Sequence, residues 1–428
     1  MSAVHEHQGA ATQAPASAPR PGGKGRPPRP SPVPRPTPRA GRGPAARQGR
    51  PLGTSPTVRP EVTRYALRRW LQGHLPRAEH RVSVCGRHVA PQGSVSVRRA
   101  PGGGAHFAGL QVCGAISVCP VCGPKIRHGR AAEISRAAEL HQAAGGHLVF
   151  VTLTTPHDRG DTLEGCWDLL RRAFRELVSG RARAELRDRF GVHGYIRATE
   201  ATHGTHGWHV HAHLLLFVDT AYGLEDTAEL WRWLHQRWAR RVEAHGGRRP
   251  SLARGVQVIP CRDDNGALGT YLAKVASEVT RQDGKTARAS GSRTPMQLLA
   301  DAAEGDAQAW AIFREWIQGS RGRRIVEWSR GLRAALGVTE RTDNDLVAEV
   351  DHAETVLEVT REAWRELLAS GADVQVLQVM ALADSSALAF CLDRWSLPLW
   401  IDTRTAGPPI LRTARARVGT ARVAEWAS

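Results

Sequence analysis

Three histidines alternate with small apolar residues in the segment His209-Val210-His211-Ala212-His213. Successive side chains of a β-strand point to opposite faces, so a strand here places the three imidazoles on one face. Imidazole nitrogens are common ligands of divalent metal ions, and a buried strand rarely carries polar residues without a partner for them. The alternation therefore predicts a row of metal ligands. The alternative is chance clustering in a chain that contains 19 histidines.

Glu200 is predicted to lie opposite His211 in a β-hairpin. Residues 194–202 have a strand-like pattern, and Gly204–Gly207 is typical of the turn that joins them to the histidine strand. A two-residue turn there puts the Glu200 carboxylate on the face of His211 and His213, whereas a slip of one residue would reverse it. Two imidazoles and one carboxylate with open positions favour a catalytic divalent cation over a closed structural zinc site.

A second motif, Tyr271-Leu272-Ala273-Lys274, opens a segment with a helical pattern that is predicted to run to about Thr280. On a helix, Tyr271 and Lys274 share one face. The chain has only four tyrosines and four lysines, so chance placement predicts only ~0.04 such pairs in its whole length. Where only positive charge is needed, this chain uses arginine. The pair is therefore a candidate part of an active site, against the alternative of an incidental pair on a surface helix.

Four cysteines have the spacing of a structural zinc site. Three of them follow a C-x5-C-x2-C pattern whose last part, Cys-Pro-Val-Cys-Gly, is typical of a zinc knuckle. The four are Cys85, Cys113, Cys119 and Cys122. His88 and His128 are alternatives to Cys85 as the fourth ligand. No secretory signal is visible, so a cytoplasmic location is expected and disulfides are not.

The charge of the chain favours a polyanionic partner. Its formal net charge is +18, which attracts nucleic acid through the release of counterions. Residues 1–60 contain ten lysines or arginines and one acidic residue among many prolines and glycines. This segment is predicted to be a disordered basic tail that tethers DNA, although an arginine-rich coding bias would give the same composition. No apolar stretch approaches 18 residues, so no membrane span is expected.

Apolar periodicity predicts an α+β chain whose central antiparallel sheet is backed by helices. A strand over 147–155 is followed by a helix that Asp161 could cap, the histidine hairpin, a second amphipathic helix over 230–242 and a strand over 255–259. The predicted divisions are a basic tail (1–60), a zinc-knuckle segment (61–145), the domain that carries the histidines (146–282), a linker (283–295), a small α/β C-terminal module (296–400) and a second basic tail (401–428).

In their order along the chain, these motifs resemble the HUH endonuclease superfamily, and within it the rolling-circle replication initiators of actinobacterial plasmids. The resemblance covers about residues 85–328 and includes the Cys-Pro-Val-Cys cluster, the strand Val149–Thr154, Glu200, the Gly-Trp-His-x-His-x-His strand and Tyr-x-x-Lys. It implies an HUH/RRM-like palm in residues 146–282. The site residues it implies are His211 and His213 as metal ligands, Glu200 and His209 as further candidate ligands, Tyr271 as nucleophile and Lys274 beside the phosphate.

The resemblance also implies the chemistry. Tyr271 would cut single-stranded or supercoiled plasmid origin DNA, leaving a 5′-phosphotyrosine link and a free 3′ hydroxyl, and the strand would later be rejoined. Catalytic Mg²⁺ or Mn²⁺, structural Zn²⁺, and a host helicase and polymerase would be its cofactors and partners.

Two other functions fit part of the sequence. A relaxase or transposase would use the same chemistry, but the chain has neither a helicase P-loop pattern nor a second active-site tyrosine pair. A non-catalytic, zinc-stabilised DNA-binding regulator would explain the cysteines and the charge. It would leave the histidine row and the Tyr-x-x-Lys motif unexplained.

Overall fold

The computed structural model describes residues 60–91, 94–100, 104–262, 266–276, 291–348, 353–382 and 385–413. Helices and two five-stranded, mainly antiparallel sheets make up these residues, which confirms the predicted α+β class. None of the helices in these ranges has the length and hydropathy that a membrane crossing requires.

The strands, in chain order, are β1 (Val95–Arg99), β2 (Ala105–Ala108), β3 (His147–Thr154), β4 (Val192–Gly204), β5 (Gly207–Val218), β6 (Val256–Cys261), β7 (Val326–Trp328), β8 (Glu354–Val359), β9 (Leu399–Asp402) and β10 (Ile410–Thr413). The helices are α1 (Pro60–His74), α2 (Cys122–Ala143), α3 (Leu163–Leu177), α4 (Gly180–Phe190), α5 (Leu224–Ala244), α6 (Ala267–Ala276), α7 (Pro295–Ala303), α8 (Ala307–Gly319), α9 (Leu332–Ala335), α10 (Asp343–Ala348), α11 (Arg361–Ser370), α12 (Asp373–Ala381) and α13 (Ser385–Arg394), with a short 3₁₀ helix at Arg81–Val84.

The first sheet carries the histidines and has the strand order β6-β3-β5-β4-β7, with every pair antiparallel. Its long hairpin, β4–β5, closes with Gly204 paired to Gly207, and Glu200 pairs with His211. The predicted register is therefore confirmed. A positive φ of 84° at Gly207 suits this tight turn, because glycine adopts that conformation without a Cβ clash.

Both faces of this sheet are covered, which explains the apolar run that ends β5. Leu214 and Leu216 pack in the core that includes α3 and α5, while Leu215 and Phe217 pack in the core that includes Ile134 of α2. The histidines of β5 share the parity of Leu215. They therefore lie on the face of the sheet that α2 and α6 cover.

The predicted apolar face of α3 is buried, from Leu163 through Trp167 to Leu177. Its predicted cap is wrong: the side chain of Thr162, not Asp161, accepts the hydrogen bond from the amide of Gly165. The Asp161 carboxylate instead accepts from the amide of Asp158 in the preceding turn.

The second sheet has the order β2-β1-β8-β10-β9 and joins two distant parts of the chain. Strands β1 and β2 come from the predicted zinc-knuckle segment, and the other three come from the C-terminal part. Residues 401–413, which the sequence placed in the second basic tail, include the end of β9 and all of β10. The rest of the predicted tails and most of the predicted linker lie outside the described residues, at 1–59, 283–290 and 414–428.

Candidate metal centre and active site

Glu200, His211 and His213 form a compact cluster on the α2–α6 face of the first sheet. One oxygen of Glu200 accepts hydrogen bonds from Nε2 of His211 at 3.1 Å and from Nε2 of His213 at 3.0 Å. A ligand atom from each of the three lies within 4.8 Å of those of the other two. Strand pairing explains the arrangement, since Glu200 is directly opposite His211 and His213 is two residues further along β5.

The electrostatics of this cluster fit a divalent cation. Burial alone would raise the pKa of Glu200, but hydrogen bonds from His211 and His213 outweigh it and hold that pKa well below its usual range. Nδ1 of His211 is buried and has no hydrogen-bond partner among the described residues. Such an unsatisfied atom in a set of ligand residues is expected where an ion belongs. Two imidazoles and one carboxylate are a donor set that Mg²⁺ or Mn²⁺ could use.

His213 is oriented by a neighbouring strand. Thr152 of β3 pairs with His213, and its hydroxyl is hydrogen-bonded to Nδ1 of that ring at 3.1 Å. This leaves Nε2 of His213 directed toward Glu200. Residues that hold a ligand imidazole in this way fix its tautomer and its ring orientation.

We expect Thr152→Val to weaken Mn²⁺ binding by roughly 10- to 100-fold while the protein stays folded, because His213 loses its orienting hydrogen bond. Titration with Mn²⁺ measures the affinity, and circular dichroism checks the fold. Thr199→Val is the matched control, since the Thr199 hydroxyl is buried with no partner among the described residues. Equal Mn²⁺ affinity in the two variants would contradict the orienting role of Thr152.

His209 continues the row, but its nearest polar partner is a different histidine. Nδ1 of His209 lies 3.3 Å from Nδ1 of His157, which follows β3. The His209 and His211 rings are 4.7 Å apart between centroids. Burial, followed by the neighbouring His211 and His157, lowers the pKa of His209 to about 4. His209 is thus neutral at pH 7 and lies beside the three-residue cluster without belonging to it.

Tyr271 lies on the same face of the sheet as the cluster. The Phe150 ring contacts both groups: its centroid is 5.5 Å from that of His213 and 5.7 Å from that of Tyr271. The phenol is fully buried and donates a hydrogen bond to the carbonyl oxygen of Ile196 at 3.2 Å. Ile196 is two residues from Ala198, which pairs with His213. The phenol therefore lies near the row of side chains next to that of His213, ~7 Å away along the strand.

Burial raises the pKa of Tyr271 well above its usual value, so in this state the hydroxyl is protonated and is engaged with the backbone. Tyr271 thus lies on the same face of the sheet as the cluster, but its oxygen is not aimed at the cluster. The other three tyrosines are elsewhere. Tyr65 packs with the second sheet, and Tyr195 and Tyr222 belong to the core on the opposite face. The backbone of Lys274 is in α6, but its side chain lies outside the described residues.

The four predicted cysteines form a second cluster, away from the histidines in the sheet. Their sulfur atoms are all buried and lie within 4.8 Å of one another. The Cys85–Cys122 distance is 3.6 Å, and the Cys113–Cys122 and Cys119–Cys85 distances are 3.7 Å. Zinc–sulfur bonds of about 2.3 Å in a tetrahedron require sulfur separations of about 3.8 Å. The separations fit a tetrahedral zinc site and are too long for disulfides.

A nearby positive charge favours a thiolate at Cys85 of this cluster. Hydrogen bonds from the other three cysteines lower the pKa of Cys85, and the guanidinium of Arg68 lowers it further. Arg68 is itself buried, and its guanidinium charge would balance part of the negative charge of a four-thiolate zinc centre. The amide of Cys122 also donates to the sulfur of Cys119 at 3.3 Å, as a zinc knuckle requires. His88 and His128 are not part of the cluster.

Comparison with known proteins places this arrangement in a family. Residues 107–246 match the family model described as "Replication protein". The "Protein rep" of Streptomyces lividans is 31% identical over 360 residues, which cover 67% of this chain and 78% of that protein. The chain belongs to the replication protein family. The "Neomycin resistance protein" of Streptomyces cyanogenus is 33% identical over 153 residues, covering 30% of this chain and 35% of that protein. No solved structure matches.

The part of this replication protein that matches the family model contains all of the histidine–glutamate cluster and most of the cysteine cluster. It includes Glu200, His211 and His213 and three of the four cysteines, while Cys85 precedes it and Tyr271 follows it. Membership of the family, together with the relative from Streptomyces, supports a role as a plasmid replication initiator of actinobacterial type.

Two polar residues beside the Glu200, His211 and His213 cluster were not predicted from the sequence. Thr152 could have been found, because the alternation of β3 places it on the face of Phe150 and opposite His213. His157 could not, since its approach to His209 depends on the path of the loop after Pro156. A loop path has no periodic signal in the sequence.

Proposed function

We propose that this protein starts rolling-circle replication by cutting one strand of plasmid origin DNA with Tyr271, assisted by Mg²⁺ or Mn²⁺ held by Glu200, His211 and His213. The single observation that supports the proposal is that the Phe150 ring contacts both His213 and Tyr271, which lie on the same face of the sheet. An HUH-type palm is part of this proposal, and the antiparallel order β6-β3-β5-β4-β7 supports it.

The cutting step is a transesterification. The phenolic oxygen of Tyr271 forms a bond to phosphorus, and the bond from phosphorus to the 3′ oxygen breaks. The proton that the phenol loses is balanced by the proton that the released 3′ oxygen takes up. A bound divalent cation supplies Lewis-acid stabilisation of the charge on the phosphate oxygens. Lys274, on the same helix as Tyr271, is proposed to orient the phosphate.

Tyr271 must leave its hydrogen bond to Ile196 before it attacks. Losing one such bond costs about 1 kcal/mol, which is small beside the free energy available from binding a DNA strand. We therefore include in the proposal a shift of α6 that turns the phenol from the core toward the adjacent histidine row. The link to protein conserves the energy of the cut bond, so the strand can be rejoined after a round of synthesis by host helicase and polymerase.

The test is to incubate the protein with Mg²⁺ or Mn²⁺ and supercoiled plasmid carrying its own origin, and to look for open circles with protein attached. His211→Ala should slow cutting at least about a hundredfold, because a metal contribution of several kcal/mol is lost, while DNA binding is retained. His235→Ala, a buried histidine on α5 at the opposite face, is the control. Absence of cutting by the wild-type protein, or equal cutting by both variants, would refute the proposal.

A further inference from the structure

A groove of about 430 Å³ is lined by basic residues that come from parts of the chain before and after the histidine cluster. Four arginines line it: Arg77, Arg87, Arg361 and Arg365. His88 and Trp364 also contribute to its wall, and no aspartate or glutamate does. We call this feature the arginine groove.

Two elements build the arginine groove. Arg77 and Arg87 lie on either side of the 3₁₀ helix that precedes the cysteine cluster, while Arg361 and Arg365 are one turn apart on α11. An i, i+4 spacing puts Arg361 and Arg365 on the same helical face. Trp364 fixes the two elements together, because its indole is buried and its N–H donates to the carbonyl oxygen of Arg87 at 3.3 Å.

The four arginines of the groove have no carboxylate in ion-pair contact within the part of the chain that the structure describes. Within the same ranges, Arg87 donates only to the carbonyl oxygen of Ser83 at 3.1 Å. Many other arginines have carboxylate partners; Arg130, for example, contacts Glu133 at 2.9 Å.

The exposure of these arginines differs. Arg77, Arg361 and Arg365 are exposed, whereas Arg87 is half-buried. Burial lowers the pKa of Arg87, and the neighbouring Arg77, Arg69 and Arg68 lower it further, while Asp373 offsets part of this shift. Like charges held this close destabilise the folded protein unless an anion compensates them.

We propose that the arginine groove binds the phosphodiester backbone of DNA, away from the cutting site, and that α11 gives the C-terminal part of the chain a role in holding the replication origin. Arginine is the side chain best suited to phosphate, because its guanidinium donates several hydrogen bonds in one plane. Four arginines spread over two elements suit several phosphates of one strand better than a single small anion. The choice of DNA rests on the proposed function, but the site itself depends only on the contacts above.

The test uses the whole protein with Arg361→Ala and Arg365→Ala combined. Both side chains are exposed and lack ion pairs in the described part of the chain, so the loss of stability should be within about 0.5 kcal/mol. The matched control combines Arg172→Ala and Arg175→Ala, which remove the same charge from the exposed surface of α3. Fluorescence anisotropy with a duplex oligonucleotide of arbitrary sequence, over a series of salt concentrations, measures binding.

The α11 double variant should bind the duplex about tenfold more weakly at moderate salt, and its slope of log K against log salt should be shallower by about 1.8. The α3 control should keep the wild-type slope, and both variants should cut a short single-stranded origin oligonucleotide at the wild-type rate.

Equal slopes in the two double variants would overturn the proposal. So would a thermal shift with inorganic phosphate that disappears in the α11 variant while its DNA affinity stays unchanged, since that result assigns the groove to a free anion. Failure of every protein to cut DNA would refute the proposed function alone, because the binding comparison does not use cutting.

Discussion

Tyr271→Phe is expected to abolish both DNA cutting and covalent attachment of the protein to DNA. Removal of the phenolic oxygen removes the only nucleophile of the proposed reaction, so the loss should reach the detection limit of the assay. Binding of origin DNA and of Mn²⁺ should be unchanged, because neither uses the phenolic oxygen. The measurement is the yield of open circles and of protein–DNA adducts that survive denaturation.

Tyr222→Phe is the matched control for this experiment. The Tyr222 hydroxyl is also buried and also donates to a backbone carbonyl oxygen, that of Phe190, at 2.5 Å. Each variant therefore loses one buried hydrogen bond, worth about 1 kcal/mol of folding stability. Only the Tyr271 variant should lose cutting. Adduct formation by Tyr271→Phe would assign the nucleophile to another residue.

The part of the site that local geometry determines could be predicted from the sequence. A two-residue hairpin turn leaves one register, so Glu200 had to pair with His211 once the turn was placed correctly. Strand parity then put His213 on the same face. The apolar face of α3 was predictable for a similar reason, because the period of a helix is fixed.

Features that depend on tertiary packing were not predictable. The spacing of Tyr271 and Lys274 indicated a helix face but not that the face packs against Ile196 and buries the phenol. Pairing of β1 with β8 joins residues more than 250 positions apart, and neither strand carries a signal that selects the other. The capping of α3 by Thr162 instead of Asp161 depends on one residue of register at the helix start, where sequence patterns are least decisive.

The cysteine cluster is connected to the histidine hairpin through α8. The indole N–H of Trp316 donates to the carbonyl oxygen of Ser117, between Cys113 and Cys119, at 2.8 Å. The preceding residue, Glu315, accepts from the indole of Trp208 at 2.9 Å and from the amide of Leu163 at 2.8 Å. Trp208 directly precedes His209 on β5. A structural zinc site at the cysteines would therefore stabilise α8 and, through it, the strand that carries His211 and His213.

Cys119→Ser is accordingly expected to remove about one zinc ion per chain and several kcal/mol of stability, since structural zinc contributes on the order of 10 kcal/mol to small zinc domains. DNA cutting should fall with it, because the support of Trp208 by α8 is lost. Zinc content by elemental analysis and thermal unfolding measure the two effects.

Cys166→Ser is the control, because that thiol is also buried and lies outside the cluster. Wild-type protein that purifies without zinc, or a Cys119 variant as stable as the Cys166 variant, would show that the cysteines pack as free thiols. If the Cys119 variant lost zinc but kept full cutting activity, the zinc site would be independent of the hairpin and α8 would not transmit its stability.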